Sequence, residues 1–465
     1  MAETRSANAQ LVRGLSVWDG ALLTVGSIVG TGIFLTTADI ARVLPHGGMI
    51  LLVWLVGGLL SLAGALTYGE LGAMLPRAGG MYHFLKEAYG PLPGFLYGWA
   101  CFLVIMSGGI AAIAVGFGVY LGYFLPFFST ESVLLSVPLG GWTWNVSGAQ
   151  LAAALAILSL TVINWLGLRQ GAWTQNLLTV LKIGAVVVFA LIGFLVPAKA
   201  SANLAAPLPP GNLLAAFGVA MIAALWTYDG WYGLTFSAGE LRRPERDLPR
   251  GLLLGTAAVV AMYLLLNWIY LRALPVEAMG ETARIGEAAA GALFGAAGSR
   301  WLSAAVLVST FGCLSSTILY SSRIYQPMAQ DGLFFPALAA VHPRFRTPVR
   351  SLWAQSAWAL LLTVSGTYEQ LYTYVVFASV VFHAATAAAV FVFRRTRPEL
   401  PRPYRTWGYP VVPAAFILAC LLLILNTLAE RPRESLAGLG LLVIGLPVYF
   451  VFRRRARAAP PPTAS

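Results

Sequence analysis

Charge is what this sequence has least of. Asp, Glu, Lys and Arg make up 10% of its 465 residues, against about 25% in a soluble domain. Cysteine is nearly absent too. Cys101, Cys313 and Cys420 all fall in apolar runs, so no disulfide framework is expected. The four histidines, His46, His83, His342 and His383, are scattered. No H-x-x-x-H, D-D-x-x-D or nucleophile elbow occurs, which disfavours a membrane-embedded enzyme, and neither metal nor cofactor is expected. No P-loop occurs either, so this chain alone is not expected to drive transport with ATP. A sensor or channel without turnover stays open on these grounds, and a flux assay separates it from a transporter.

What the chain does have is hydrocarbon. Hydrophobic residues make up 58% and the mean hydropathy is +0.75. Apolar runs of about 20 residues, each able to span a bilayer, recur from end to end. Twelve spans are expected, at 16–40, 48–74, 92–124, 150–168, 173–196, 213–240, 250–273, 299–327, 351–365, 367–393, 408–428 and 435–452. A membrane barrel would instead alternate in segments of about 10 residues. The net charge of +12 reflects loops of one side, not nucleic-acid binding. Most of the 30 Lys and Arg fall in the even-numbered loops (242–250, 323–350, 394–405) and in the tail from 453. The positive-inside rule then predicts both termini in the cytoplasm of a cell-membrane protein. The polar start MAETRSANAQLVRGLS gives no sign of a cleavable signal, and the tail APPPTAS (459–465) reads as disordered.

Two of the spans are interrupted. The first contains GSIVGTGIF (26–34), and each glycine there costs about 1 kcal/mol of helix propensity against alanine. The sixth contains TYDGWYG (227–233), with Gly230 and Gly233 between apolar halves. Breaks in spans one and six predict two five-helix repeats, 16–196 and 213–393, the second inverted, followed by two added helices (408–452) and a tail (453–465). Residues 76–94 read as a cytoplasmic connector, 125–149 and 274–298 as external loops, with a helix expected over 277–295.

A broken helix frees backbone groups, which are tolerated in a membrane only against protein or a water-filled cavity. The freed N–H groups are partly positive and the freed carbonyls partly negative, so a zwitterion fits between them. Its carboxylate would meet Gly30, Thr31 and Gly32, and its ammonium the carbonyls near Ser27, Ile28, Trp226 and Thr227. Close helix packing through small residues, Gly26 and Gly30 forming a GxxxG pair, is the competing account.

These residues also carry a family resemblance. GSIVGTGIF resembles the signature of the amino acid–polyamine–organocation superfamily. PRAGGMYHFLKEAYGPLPGFLYGW (76–99), LWTYDGWYGLTFSAGELRRPERDLPRG (225–251), SSRIYQPMAQDGLFFPALAAVHPRFRTP (321–348) and PRPYRTWGYPVVP (401–413) are similar to its L-type amino acid transporter branch. The resemblance covers nearly the whole chain. It implies an all-α, leucine-transporter-like fold of twelve helices, with helices one and six unwound mid-membrane, and alternating-access amino-acid transport. The Ala-, Gly- and Arg-rich usage fits a bacterial member.

The resemblance also implies roles for single residues. Trp226 stands where the family has an aromatic lid, although a buried tryptophan needs no such role. Lys182, in span five, stands where sodium-coupled relatives bind sodium; its charge would replace the ion and tie span five to the first half of span one. A lysine near the inner interface can instead snorkel to headgroups, and Arg169 and Gln170 suggest a nearby span start. Asp229 is an intramembrane acid, functional by default. It would favour cationic substrates or accept bonds from the unwound backbone. Tyr263 and Asn267 share a helix face, with Tyr263 closing the site or serving as a structural tyrosine. Ser315, Ser316 and Thr317 would line the path or bond between helices, and Ser107, Gly108 and Gly109 would set pocket depth or pack. Glu70 pairs with Arg77 or relays protons. The cluster Arg242, Arg243, Glu245, Arg246, Asp247 and Arg250 forms an inner gate with residues 76–90, or marks topology alone.

Animal members that pair with a glycoprotein subunit carry a cysteine in the external loop after span three. Residues 125–149 have none, so no disulfide-linked heavy subunit is expected, leaving a monomer or non-covalent homodimer. The expectation is a sodium-independent exchanger of small neutral amino acids. Proton-coupled uptake, or exchange with a cationic preference, is the alternative.

Overall fold

The computed structural model describes residues 14–76, 79–139, 142–166, 171–200, 202–204, 207–340, 342 and 347–458. These are almost wholly helical. The chain opens with α1 (Val17–Ile28), α2 (Gly32–Val43), α3 (Gly47–Met74), α4 (Met81–Tyr89) and α5 (Pro91–Ala100). A π-helical turn at Cys101–Ile105 joins α5 to α6 (Met106–Phe124). Next come α7 (Gly148–Trp165), α8 (Gly171–Leu195) and α9 (Leu213–Tyr228). A 3-10 stretch, Gly233–Glu240, leads to α10 (Pro244–Ala273) and α11 (Val276–Glu281). The remainder is α12 (Ile285–Gln330), α13 (Val349–Thr363), α14 (Tyr368–Thr396), α15 (Val411–Glu430) and α16 (Pro432–Ala458).

Among the described residues, nine helices are long and apolar enough to cross a membrane. The bent pair α1 and α2, meeting at 46°, makes ten. Two of the twelve expected spans fall short of that measure. Among the described residues α13 has 15, and α8, whose described side chains begin at Thr179, gives the shorter apolar stretch Thr179–Leu195. The helix expected over 277–295 is instead two pieces: α11, then the start of α12, which kinks at Gly295 (φ 69°). The loop at 125–149 holds an antiparallel pair that the sequence reading did not include, β1 (Val133–Leu139) and β2 (Trp142–Ser147). Gly140 and Gly141 separate the two strands in sequence, the residue chemistry of a short hairpin. Arg77, Arg169, Gln170 and the tail 459–465 lie outside the described residues.

The two interruptions are local backbone events. Ser16 caps α1 from both sides, its hydroxyl meeting the Asp19 N–H and its own N–H donating to the Asp19 carboxylate. At the other end Val29 turns extended (φ −76°, ψ 94°), and helix resumes at Gly32. After Tyr228 the chain leaves helical geometry at Asp229 (ψ 147°), and Gly230 adopts φ 100°. That left-handed backbone suits glycine.

Small residues bring the helices together. A Cβ on Gly58 would stand 2.7 Å from the side chain of Val260 on α10, and one on Gly255 2.6 Å from that of Thr24 on α1. Approaches this close give backbones van der Waals contact where the solvent supplies no hydrophobic drive. Trp54 on α3 is fully buried, edge-on to both Tyr228 and Tyr263 at 5.7 and 5.5 Å. This aromatic wedge holds α3, α9 and α10 against the broken segments.

Candidate functional site

The two breaks lie against each other. The Ser27 hydroxyl is 3.1 Å from the Gly230 carbonyl oxygen. A Cβ on Gly230 would stand 2.7 Å from the Ser27 carbonyl oxygen, so only glycine permits this approach. The Tyr263 hydroxyl on α10 stands 3.2 Å from the carbonyl oxygens of both Ile28 and Thr227. One phenol thus faces the last carbonyls of α1 and α9 together. Asn267, one turn on, donates to the Tyr263 carbonyl and accepts from the Thr37 hydroxyl at 2.7 Å. Thr227 and Thr36 share a 2.7 Å bond that joins α9 to α2.

A small cavity, with about 40 Å³ of room for the centre of a water molecule, lies between the breaks. Ser27, Ile28, Gly30, Thr31 and Gly32 line it from the first, and Trp226, Thr227 and Asp229 from the second. The far wall is Ile105, Met106, Gly109 and Ile113, with Cys313, Thr317 and Tyr320 of α12. Trp226 is 7% exposed. Its indole donates to the Tyr368 hydroxyl at 2.8 Å, and its ring stacks on Tyr372 at 6.1 Å. Tyr368 also lies 3.4 Å from the Thr31 hydroxyl. The indole is therefore pinned across the cavity, between α9 and α14.

Lys182 is 5% exposed and sits behind the first break. Its ammonium donates to the carbonyls of Gly26 at 3.0 Å and Val29 at 2.8 Å. These are carbonyls that the end of α1 leaves open, and a buried cation needs such partners. The side chain points inward, so the snorkelling account does not hold. Asp229 has the Tyr232 hydroxyl 3.4 Å from its carboxylate.

Several expected residues stand elsewhere. Ser315 turns away from the cavity, and its hydroxyl lies 3.4 Å from the Asn164 amide oxygen on α7. Ser316 bonds back to the Gly312 carbonyl, and Ser107 to the Phe102 carbonyl. Gly108 is buried under Val375, while Gly109 reaches the cavity. Glu70 does not await a loop arginine. It receives a bidentate pair from Arg394 at 2.8 and 2.9 Å and the Thr406 N–H at 2.7 Å. The cluster at 242–250 bonds to the N-terminal segment and within itself. Arg242 donates to the Gly14 carbonyl and Arg243 pairs with Asp247. The 76–90 segment instead meets α12 and α14: Lys86 and Tyr82 both bond Asp331, and Glu87 pairs with Arg397. Burial and the Asp331 carboxylate push the Tyr82 phenol above its ordinary range, so it stays a donor.

Sequence reasoning missed Tyr368, Tyr372 and Cys313. The tyrosines stand four apart at the head of an apolar run, which puts them on one helix face. That signal was legible but pointed to no partner. Asp39, which accepts from Tyr372 at 3.0 Å, was hidden likewise among the apolar residues of α2.

Residues 15–445 match the family model described as amino acid permease. The chain is 32% identical to the serine/threonine exchanger SteT of Bacillus subtilis, over 93% of this chain and 95% of that one. It is 30% identical to the human b(0,+)-type amino acid transporter 1, over 95% and 88%. It is 29% identical to the human large neutral amino acids transporter small subunit 2, over 92% and 78%. The protein belongs to the amino acid permease family, within the amino acid–polyamine–organocation superfamily.

Proposed function

We propose that this transporter is a sodium-independent exchanger of small neutral amino acids working by alternating access, with the substrate held in the cavity between the two breaks. The observation that carries this reading is the pairing of freed backbone groups across one cavity. Both breaks line that cavity; in this reading the N–H groups at Gly30–Gly32 would meet a carboxylate and the Ser27 and Thr227 ends an ammonium. The relatives support the class: one is named a serine/threonine exchanger and another a large neutral amino acids transporter subunit. Trp226 acts as the lid, Tyr263 and Asp229 frame the ammonium end, and Lys182 stands in for a coupling cation.

The same reading takes the chain as twelve spans in an inverted five-plus-five arrangement, unwound near the midplane, with both termini cytoplasmic. Contacts at the Leu15–Leu241 end then form the inner closure. Gly14 and Leu15 donate to the Glu240 carbonyl, and Glu240 pairs with Arg323 at 2.6 Å. The cysteine-free loop 125–149 supports operation without a disulfide-linked subunit. Asp229 on the cavity wall favours a second reading, exchange with a preference for cationic side chains.

The test is uptake of labelled serine, leucine and lysine into proteoliposomes, in sodium-free buffer, with and without internal amino acid. Uptake only into loaded vesicles is expected. Uptake into empty vesicles that follows an imposed proton gradient would replace exchange by symport.

A further inference from the structure

The support of Trp226 reaches beyond the cavity to an acid near the far end of α2. Two tyrosines one turn apart on α14 form the seat of the indole. Tyr368 takes its N–H at 2.8 Å, and the indole lies over Tyr372 at 6.1 Å, the two rings 16° from parallel. Both tyrosines are also tied to α2. The Tyr368 hydroxyl lies 3.4 Å from that of Thr31, the residue that opens α2 and lines the cavity. Two turns further along α2, the Tyr372 hydroxyl donates to the Asp39 carboxylate at 3.0 Å. Tyr372 is 3% exposed, and a buried phenol needs such a partner.

Asp39 is itself held. Arg42 pairs with its carboxylate at 2.6 Å and donates from Nε to the Gly280 carbonyl on α11 at 2.7 Å. Ala38, Ile40 and Ala41 around it are buried. An acid set into such a stretch of a membrane helix is costly, and packing alone would be served by an apolar residue.

We propose that Asp39 is a positioning residue for the lid: by holding Tyr372 it seats Trp226 over the cavity, and it does so while the outer halves of α2 and α14 are together. The inference rests on reading the cavity between the breaks as the substrate site. Asp39 stands outside the lining of that cavity and acts through Tyr372. When α2 and α14 part on the face opposite the termini, Tyr372 loses its acceptor and Tyr368 its link to Thr31. The indole then loses its seat. Closure restores these contacts together, so that seating the lid and closing the outer face are one event.

A second ion pair supplies the control. Arg431, at the corner between α15 and α16, pairs with Glu369 at the start of α14 at 2.9 Å. It ties α14 to the added helices, whereas Asp39 ties α14 to α2.

The test is exchange of labelled serine by the full chain in proteoliposomes of one orientation. Serine is varied first on the face opposite the termini and then on the face of the termini. D39A and Y372F should each raise KM about five-fold on the first face, the scale of one lost hydrogen bond. On the second face KM should stay in place, with little change in kcat. Y372F keeps the stacked ring and so tests the bond alone. The double variant should be no worse than either single one. D39N, which keeps an acceptor oxygen, should recover most of the affinity, and R431A should match wild type. A purely structural role would lower kcat and leave KM unchanged. That result would overturn the proposal, as would an equal rise of KM on both faces, additive single variants, D39N as weak as D39A, or the same rise in R431A. Failure of the substrate-site reading would show differently, as a wild-type KM on both faces in Trp226→Ala.

Discussion

Lys182 and Val29 are joined by a 2.8 Å hydrogen bond from a buried ammonium to the carbonyl that ends the first half-helix. The same ammonium holds the Gly26 carbonyl at 3.0 Å. Both bonds tie α8 to the end of the first half-helix, α1. They convert the defect in α1 into an anchored end.

Replacing Lys182 by Met should therefore abolish exchange while leaving membrane insertion intact. Two buried carbonyls lose their donor, at a cost of about 1–3 kcal/mol each. Proteoliposome exchange and size-exclusion profiles in detergent read the two effects separately. Full exchange in Lys182→Met would remove the ammonium from the mechanism.

Gly230→Ala should be severe and Gly440→Ala mild. Gly230 combines φ 100° with a backbone oxygen 2.7 Å from any Cβ. Alanine in such a conformation costs more than about 1 kcal/mol. Gly440 on α16 has nothing within 4 Å. Loss of exchange and a lower melting temperature are expected for the first, and wild-type behaviour for the second.

Trp226→Phe keeps a ring to stack on Tyr372 but loses the donor to Tyr368. Reduced exchange with a raised KM is expected, and Trp226→Ala should lose most activity. Tyr368→Phe should resemble Trp226→Phe, because both remove one 2.8 Å bond. A double variant no worse than either single one would show the two act as a pair.

Glu70→Ala should destabilise by about 2–3 kcal/mol. The carboxylate is 1% exposed, and its loss leaves the Arg394 fork and the Thr406 N–H without an acceptor. A fully buried pair broken on one side costs about 3–5 kcal/mol; Arg394 is 23% exposed, which moderates it. Glu70→Gln, which keeps an acceptor, should fall between. Thermal unfolding in detergent measures both.

Asp331→Asn should loosen the closure at the α4 end. Asp331 accepts from Tyr82 at 2.5 Å and Lys86 at 2.6 Å. Because the Tyr82 phenol is pushed upward, that bond persists through mildly alkaline pH, and raising the pH should not mimic the mutation. Maleimide labelling of Cys313, which lines the cavity between the two breaks, should rise several-fold in the variant. Unchanged labelling would mean that the contact does not gate access.

The membrane class and the positions of both breaks were legible in the sequence, because hydrocarbon length and glycine placement are local signals. Ser27, Gly30, Thr227 and Asp229 could be placed at the breaks in advance for the same reason. Partners were not legible. Glu70 was read beside Arg77, its near neighbour in the chain, whereas Arg394 comes from a helix 324 residues away. Ser315 was read as lining the path or bonding between helices, because a helix of small polar residues does not announce which face a distant Asn164 will take. The hairpin at 133–147 was missed although WTWNVS (142–147) alternates with the strand period, because the whole stretch between two spans was read as an external loop.

What the sequence determined by itself was a chain that must live in a bilayer and two helices that must break. Both follow from residue-by-residue costs, in apolar transfer and in glycine's propensity and conformational freedom. Only the tertiary structure decided what the breaks face. The inward aim of Lys182, the stacking of Trp226 on Tyr372, and the bond from Tyr372 to Asp39 depend on distant helices packing against one another. Those contacts are set by side-chain shape across the bundle, which no local pattern in the chain encodes.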